Sequence, residues 1–328
     1  MHLFTSKTSR LIPGLAALVL LLTANASQAQ TVNLTAASTS TTLPDGQKVP
    51  MWGYHCTDAG SSGATCAAAN PAVQTAGTGW SPIVITVPYV GTATASNTNL
   101  TISLTNNLTF TGGKIPTSLT IVGQLGGGLG SDGTTSASPV HSGGGVTWPS
   151  ADATTTSTPP AQVPRVQSFG TEVAAGATTA LTWNKLRPGT YLIESGTHPS
   201  IQAPMGLYGI LVVTTTSTTP AQAYPTVAGM PVTALAVSQY DADLPLVLSE
   251  IDQVQNASVD AAVATSGFSE TAVWSGLPGK CGDPAVHSCY PPAVNYSPRY
   301  YLVNGVSFDR TKIASSTAKI LPLPATAA

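Results

Sequence analysis

Short runs of β-branched and apolar residues, bounded by Gly, Pro, Asn and Asp, recur along this chain. They are Ile83 to Pro88, Leu100 to Leu104, Leu119 to Val122, Thr179 to Trp183, Thr190 to Ile193 and Tyr208 to Thr214. Runs of this length with turn residues between them predict the strands of a sandwich or barrel, so the expected fold class is all-β. Only Leu244 to Gln255 has spacing near that of a helix, and a strand followed by a loop explains it equally well. No fixed short period repeats along the chain.

Two low-complexity stretches interrupt the pattern. Leu125 to Pro164 is rich in Gly, Ser, Thr and Pro, with Gly126-Gly127-Gly128 and Gly143-Gly144-Gly145, and reads as a long surface insertion between strands. Thr214 to Pro225 is a shorter Thr/Pro tract suited to an interdomain linker. The expected organisation is one sandwich over 31–214, a linker over 215–230, and a second domain over 231–328. Few strand-like runs occur between Asn256 and Ala293, so the second domain is expected to be incomplete.

The N-terminus changes the setting. Lys7 and Arg10 precede an apolar run, Leu11 to Leu22, too short to span a bilayer, and Ser27-Gln28-Ala29 supplies small residues at a cleavage site. Residues 1–29 therefore read as a signal peptide, and the mature chain as secreted or periplasmic with no transmembrane segment. Charged residues make up 8% of the chain, with 12 basic against 14 acidic. That balance offers no basic stripe for nucleic acid and no polybasic anchor for a membrane. Apolar residues reach 42%, enough for a packed core.

The four cysteines form two local pairs, Cys56 with Cys66 and Cys281 with Cys289. Export and even local pairing favour two small disulfides. His55-Cys56 and the set Cys281, His287 and Cys289 could instead hold a metal. A copper thiolate also needs a second His and a weak axial ligand, which the surrounding sequence does not offer.

Three segments resemble the multicopper oxidases. The first runs from Pro188-Gly189-Thr190-Tyr191 through Glu194, His198 and Gln202 to Gly206-Leu207-Tyr208-Gly209. It is similar to the end of a first cupredoxin domain in that family, where GTYWYHSH is followed by a glutamine and GLYGxLIV. Leu244 to Asp252 is similar to the opening strand of a second cupredoxin domain. Pro298 to Gly305 looks like the family's LINGR segment. Leu43 to Gly46 and Val49 to Tyr54 resemble the start of the long bacterial branch that includes manganese oxidisers. The resemblance implies a cupredoxin-like Greek-key β-sandwich, one complete and part of a second. In a full-length parent it implies copper, further cupredoxin domains, and oxidation of a small reducing substrate or metal ion coupled to dioxygen reduction.

Departures from the family bear on the metal. Its trinuclear copper cluster is held by His-x-His pairs, which work because alternate residues of a strand point the same way. Where the family has HWHG, this chain has Leu119-Thr120-Ile121-Val122, and Glu194 stands near the first ligand of the second pair. A two-residue insertion precedes His198, which is the one metal-ligand candidate here; its plain alternative is a strand-end imidazole bonded to a loop. His141 reads as a solvated loop residue, Met205 as core instead of an axial thioether, and Glu250 with Asp252 as a solvated or turn-bonded pair. The glycines at 126–130 lack the Lys and helix of a phosphate loop, and no G-x-S-x-G elbow supports hydrolase chemistry. The competing functional class is a non-catalytic secreted or cell-surface β-sandwich module.

Overall fold

The computed structural model describes residues 30–58, 60–61, 63–73, 79–129, 170–215, 221–225, 239–266 and 296–309. The signal-peptide reading, His141, and the Cys281–Cys289 pair with His287 lie outside these residues.

The described strands in chain order are β1 (Gln30–Thr42), β2 (Lys48–Cys56), β3 (Thr65–Ala68), β4 (Ile83–Pro88), β5 (Leu100–Asn106), β6 (Thr120–Ile121), β7 (Thr178–Trp183), β8 (Gly189–Glu194) and β9 (Tyr208–Thr214). Short β10 (Ala221–Gln222) and β11 (Gln239–Tyr240) follow, then β12 (Leu248–Ile251), β13 (Tyr300–Val303) and β14 (Val306–Ser307). The helices are α1 (Pro199–Met205) and α2 (Gln253–Ala264). The all-β expectation holds.

Two sheets, ordered β2-β1-β5-β7 and β3-β4-β9-β8-β6, make the sandwich. The chain crosses between them repeatedly from β4 to β8, in the Greek-key manner, and each sheet contains one parallel pair, β1 with β5 and β4 with β9. Alternation along each strand supplies the core. Val32, Leu34, Ile102, Leu104 and Leu181 from one sheet meet Ile85, Ile121, Ile193 and Leu211 from the other, all buried. The Cys56–Cys66 disulfide joins edge strand β2 to edge strand β3, tying the two sheets together.

The elements after residue 244 pack against this sandwich. Val259, Ala262 and Val263 of α2 enter the main core, while Ile251 and Leu302 pack with Leu43, Val49, Met51 and Trp80. Asp252 starts α2: its carboxylate accepts from the backbone N–H of Val254 and Gln255, and from that of Ser297. Asn304 and Gly305 both have positive φ, 50° and 79°, as a two-residue hairpin between β13 and β14 requires. The Asn304 side chain also accepts from Val247 N–H and donates to the Pro245 carbonyl, fixing the segment before β12.

Several elements differ from expectation. β1, the longest strand, shows no run of apolar β-branched residues because Thr, Ser and Ala fill most of its non-core positions, and β2 carries Pro50 and Gly53 within it. In β1 the core residues Val32, Leu34 and Ala36 nevertheless alternate strictly, whereas Met51 to Tyr54 of β2 are buried on both faces. The ambiguous run at 244–255 divides at Asp252 into strand β12 and the start of helix α2. Gly126 and Gly127, assigned to a surface insertion, are buried. A Cβ on either would come within 2.4 and 2.5 Å of the Trp183 indole, so these glycines let an aromatic ring lie on bare backbone.

Candidate functional site

The two segments that the family resemblance assigns to His-x-His pairs are neighbours. β6 and β8 run antiparallel, with Thr120 opposite Glu194 and Ile121 opposite Ile193. The register continues one residue further, where Val122 N–H donates to the Leu192 carbonyl. Ile121 and Ile193 point into the core, so Thr120, Val122 and Glu194 share the outer face. Gly196 lies close to this group: a Cβ there would stand 2.7 Å from Thr120 Oγ1 and 3.2 Å from Ser118 Oγ.

Behind this face, the turns before β6 and after β8 enclose a network of hydroxyls. Thr117 and Ser195 both donate to Gln202 Oε1, at 2.9 and 2.7 Å, and Gln202 Nε2 donates to the Pro116 carbonyl at 2.8 Å. Tyr54 donates to the Ser118 carbonyl at 2.7 Å. Its phenol lies beside the Thr117 and Ser195 hydroxyls, and burial holds its pKa far above the ordinary range. Thr117, Ser195 and Gln202 are buried together with Tyr54, so each polar atom depends on the others for its partner.

Toward solvent the network opens into a cleft of about 430 Å³ lined by Ser118, Gly170, Glu172, Gly196 and Thr197. Ser118 Oγ accepts from Gly196 N–H at 3.0 Å, and Thr197 Oγ1 lies 3.1 Å from Ser118 Oγ and 2.9 Å from Glu172 Oε1. Glu194 makes none of these bonds. Partial burial raises its carboxyl pKa above the usual value.

His198 occupies the N-cap position of α1 in the left-handed conformation, φ 41°, and its carbonyl accepts from the N–H groups of Ile201 and Gln202. Its backbone thus sets the turn that carries Gln202 into the network. His55, the other described histidine, lines a separate cavity of about 250 Å³ with Tyr54, Asp58, Ser81 and the disulfide. Burial lowers its pKa. Met205 is packed in the main core, Glu250 is exposed, and Asp252 caps α2.

The donor set does not suit copper. Matched to HWHG, the first pair's positions are Leu119 and Ile121, both buried in the core, and Glu194 stands near the first position of the second, so one carboxylate is present where imidazoles are needed. No three of the described His, Cys, Asp and Glu residues come together as a metal-binding group. Sequence reading singled out Glu194 and His198 but assigned no role to Tyr54, Thr117, Ser195 or Gln202. The clustering of polar residues at Thr117-Ser118 and Ser195, beside the quoted Gln202, was the available signal. Only the strand pairing converts it into one network.

No family model matches the chain, and no curated protein matches it. Similar solved structures include a multicopper oxidase from Pseudomonas thermotolerans, 17% identical with a TM-score of 0.31, covering 56% of this chain and 29% of that one. A copper nitrite reductase from Nitrosomonas europaea is 13% identical with a TM-score of 0.42, covering 88% and 60%. A laccase from Botrytis aclada is 17% identical with a TM-score of 0.39, covering 88% and 33%. The chain therefore spans less than two thirds of the length of each. No described helix is long and apolar enough to cross a membrane.

Proposed function

We propose that this chain is the N-terminal portion of an exported multicopper oxidase-like protein whose first sandwich acts as scaffold and bears no copper cluster of its own. The observation that supports this most is the direct pairing of Thr120 with Glu194. The segments similar to the family's ligand strands lie side by side in register, yet neither Leu119-Thr120-Ile121-Val122 nor Gly189–Glu194 carries a histidine. The matched segments at 244–252 and 298–305 also pair with each other, through β12 and β13. In the parent protein, copper and the oxidation of a small reducing substrate or metal ion would belong to further cupredoxin domains. His198 alone, with waters completing a coordination shell, would hold copper weakly and exchangeably.

The test is to load the purified mature chain with Cu(II), dialyse against a mild chelator, and measure retained metal and phenol-oxidase activity. Loss of all copper and no activity are expected. Retention of about three coppers per chain, or an intense blue copper–thiolate absorption, would overturn the reading, since a full site needs several converging ligands. A second reading is favoured by the self-satisfied hydroxyl network: a non-catalytic secreted β-sandwich module. Sequencing the coding DNA past Ala328 separates the two. A downstream His-Cys-His with further histidines supports the oxidase parent, and a stop codon supports the module.

A further inference from the structure

The cavity beside His55 has a disulfide in its wall. It lies where edge strand β2 meets edge strand β3, and Cys56 and Cys66 both line it. Its volume of about 250 Å³ equals that of about eight waters in the liquid, room for a small organic molecule. Cys56 is half-buried, so the bridge meets this space instead of being sealed in the core. β3 has four residues and pairs with β4 alone. Among the described residues, the bridge is its one covalent tie to the opposite sheet. Disulfides that meet solvent are open to exchange, whereas those sealed in a core resist it.

The lining also sets a charge preference. Asp58 carries its one fixed charge, and the Asn33 amide and the Gly60 N–H both donate to its carboxylate, holding it in place. His55 adds no charge at neutral pH, since burial lowers its pKa. No described Lys or Arg lines the cavity to offset the carboxylate.

We propose that this cavity admits a small thiol without negative charge, which cleaves the Cys56–Cys66 bridge in the folded protein and makes the clasp between the sheets redox-sensitive. The thiol ionises, giving its proton to water, and its sulfur attacks Cys56 Sγ, the less buried of the two. A bond forms between that sulfur and Cys56, and the Cys56–Cys66 bond breaks. Its electron pair leaves on the Cys66 sulfur, which takes a proton from water. A second thiol attacks the mixed disulfide and departs with the first as a symmetrical disulfide. Two small thiols are thereby oxidised, and the protein bridge is reduced to two thiols.

The test exposes the full mature chain, without denaturant and in low salt, to 2-aminoethanethiol, 2-mercaptoethanol and mercaptoacetate at matched thiolate concentration. Mass spectrometry after acid quench reads the adducts, and peptide mapping separates those on Cys56 from any at Cys281 or Cys289. Each rate is divided by that of the same chain unfolded in urea, which removes the intrinsic reactivity of the thiol. An adduct on Cys56 of the folded chain is expected, fastest for the cationic thiol and slowest for the anionic one, with a spread of about tenfold. Asp58→Asn should remove the spread. Ala68→Leu, which fills the cavity, should slow all three by about tenfold or more, with a thermal melt to show that it folds. If that variant fails to fold, Asp58→Asn still decides. No adduct before unfolding, or equal normalised rates for the three thiols, would overturn the proposal. So would cleavage by a protein dithiol as fast as by 2-mercaptoethanol, which would assign the reaction to opening of the whole fold. None of these outcomes depends on copper.

Discussion

Thr120 and Glu194 face each other across the β6–β8 pair, on the side of the sheet away from Ile121 and Ile193. A hydroxyl and a partly buried carboxyl thus stand where two strand segments converge, with Gly196 and Ser118 close by. That arrangement suits a closed hydrogen-bonded surface and does not suit a soft or borderline transition metal. It also makes Glu194 a sensitive reporter of the site.

Burial raises the folded-state pKa of Glu194 above its ordinary value near 4.5. The folded protein therefore binds more protons than the unfolded chain as pH rises through that value, and this residue's effect on stability becomes less favourable. Glu194→Gln should flatten that decline and raise stability at neutral pH. Urea melts of both proteins at several pH values between about 4 and 7 check the prediction. An unchanged slope would place Glu194 in open solvent.

His55 works in the opposite direction. Burial lowers its folded pKa below the ordinary 6.5, so the unfolded chain takes up the proton first as pH falls. Stability contributed by the neutral imidazole is present above 6.5 and lost as pH drops toward the folded value. His55→Gln should lose this acid-sensitive component, visible as a melting temperature that falls less steeply below that pH.

Gln202 accepts from two buried hydroxyls and donates to the carbonyl of half-buried Pro116. Gln202→Leu would leave those groups without partners, at a cost on the order of 3 kcal/mol. Chemical denaturation reads the change. A loss under about 0.5 kcal/mol, the range of ordinary surface substitutions, would mean that the network contributes little.

Glycines 123 and 126 offer a matched comparison. Both have positive φ, 86° and 144°, but a Cβ at Gly123 meets nothing within 4 Å, whereas one at Gly126 meets the Trp183 ring. Gly123→Ala should cost about 1 kcal/mol, the backbone penalty alone. Gly126→Ala should cost about 3 kcal/mol or more, because the indole must also move. Trp183 fluorescence should shift in the second variant and stay put in the first.

The Cys56–Cys66 bridge closes a separation of 10 residues. Replacing both cysteines by serine should lower stability by about 2–3 kcal/mol on the chain-entropy account. Thiol titration of the denatured, non-reduced protein should find no free cysteine, which also tests the expected Cys281–Cys289 pair. Two reactive thiols would leave that second pair open.

How much of this was legible in the chain depends on the kind of signal each element carries. β4 and β9 were readable end to end, because β-branched and other apolar residues dominate Ile83 to Pro88 and Tyr208 to Thr214. α1 was not readable, since Pro199 and Pro204 in seven residues argue against a helix in isolation. Tertiary contacts overrode that preference, with Ile201 and Met205 entering the core and Gln202 finding buried partners. At the site, the absence of the ligand histidines could be seen directly. The replacement network could not, because Tyr54, Thr117, Ser195 and Gln202 are spread over nearly half the chain.

The sequence by itself determined the all-β class and the local pairing of Cys56 with Cys66. Each of these follows from residue type and short-range spacing, which the linear order carries. Only the tertiary structure decided that Thr120 meets Glu194 and that Gly126 lies under Trp183. These relations depend on strand register between segments far apart in the chain. A one-residue shift in register would send every side chain to the other face.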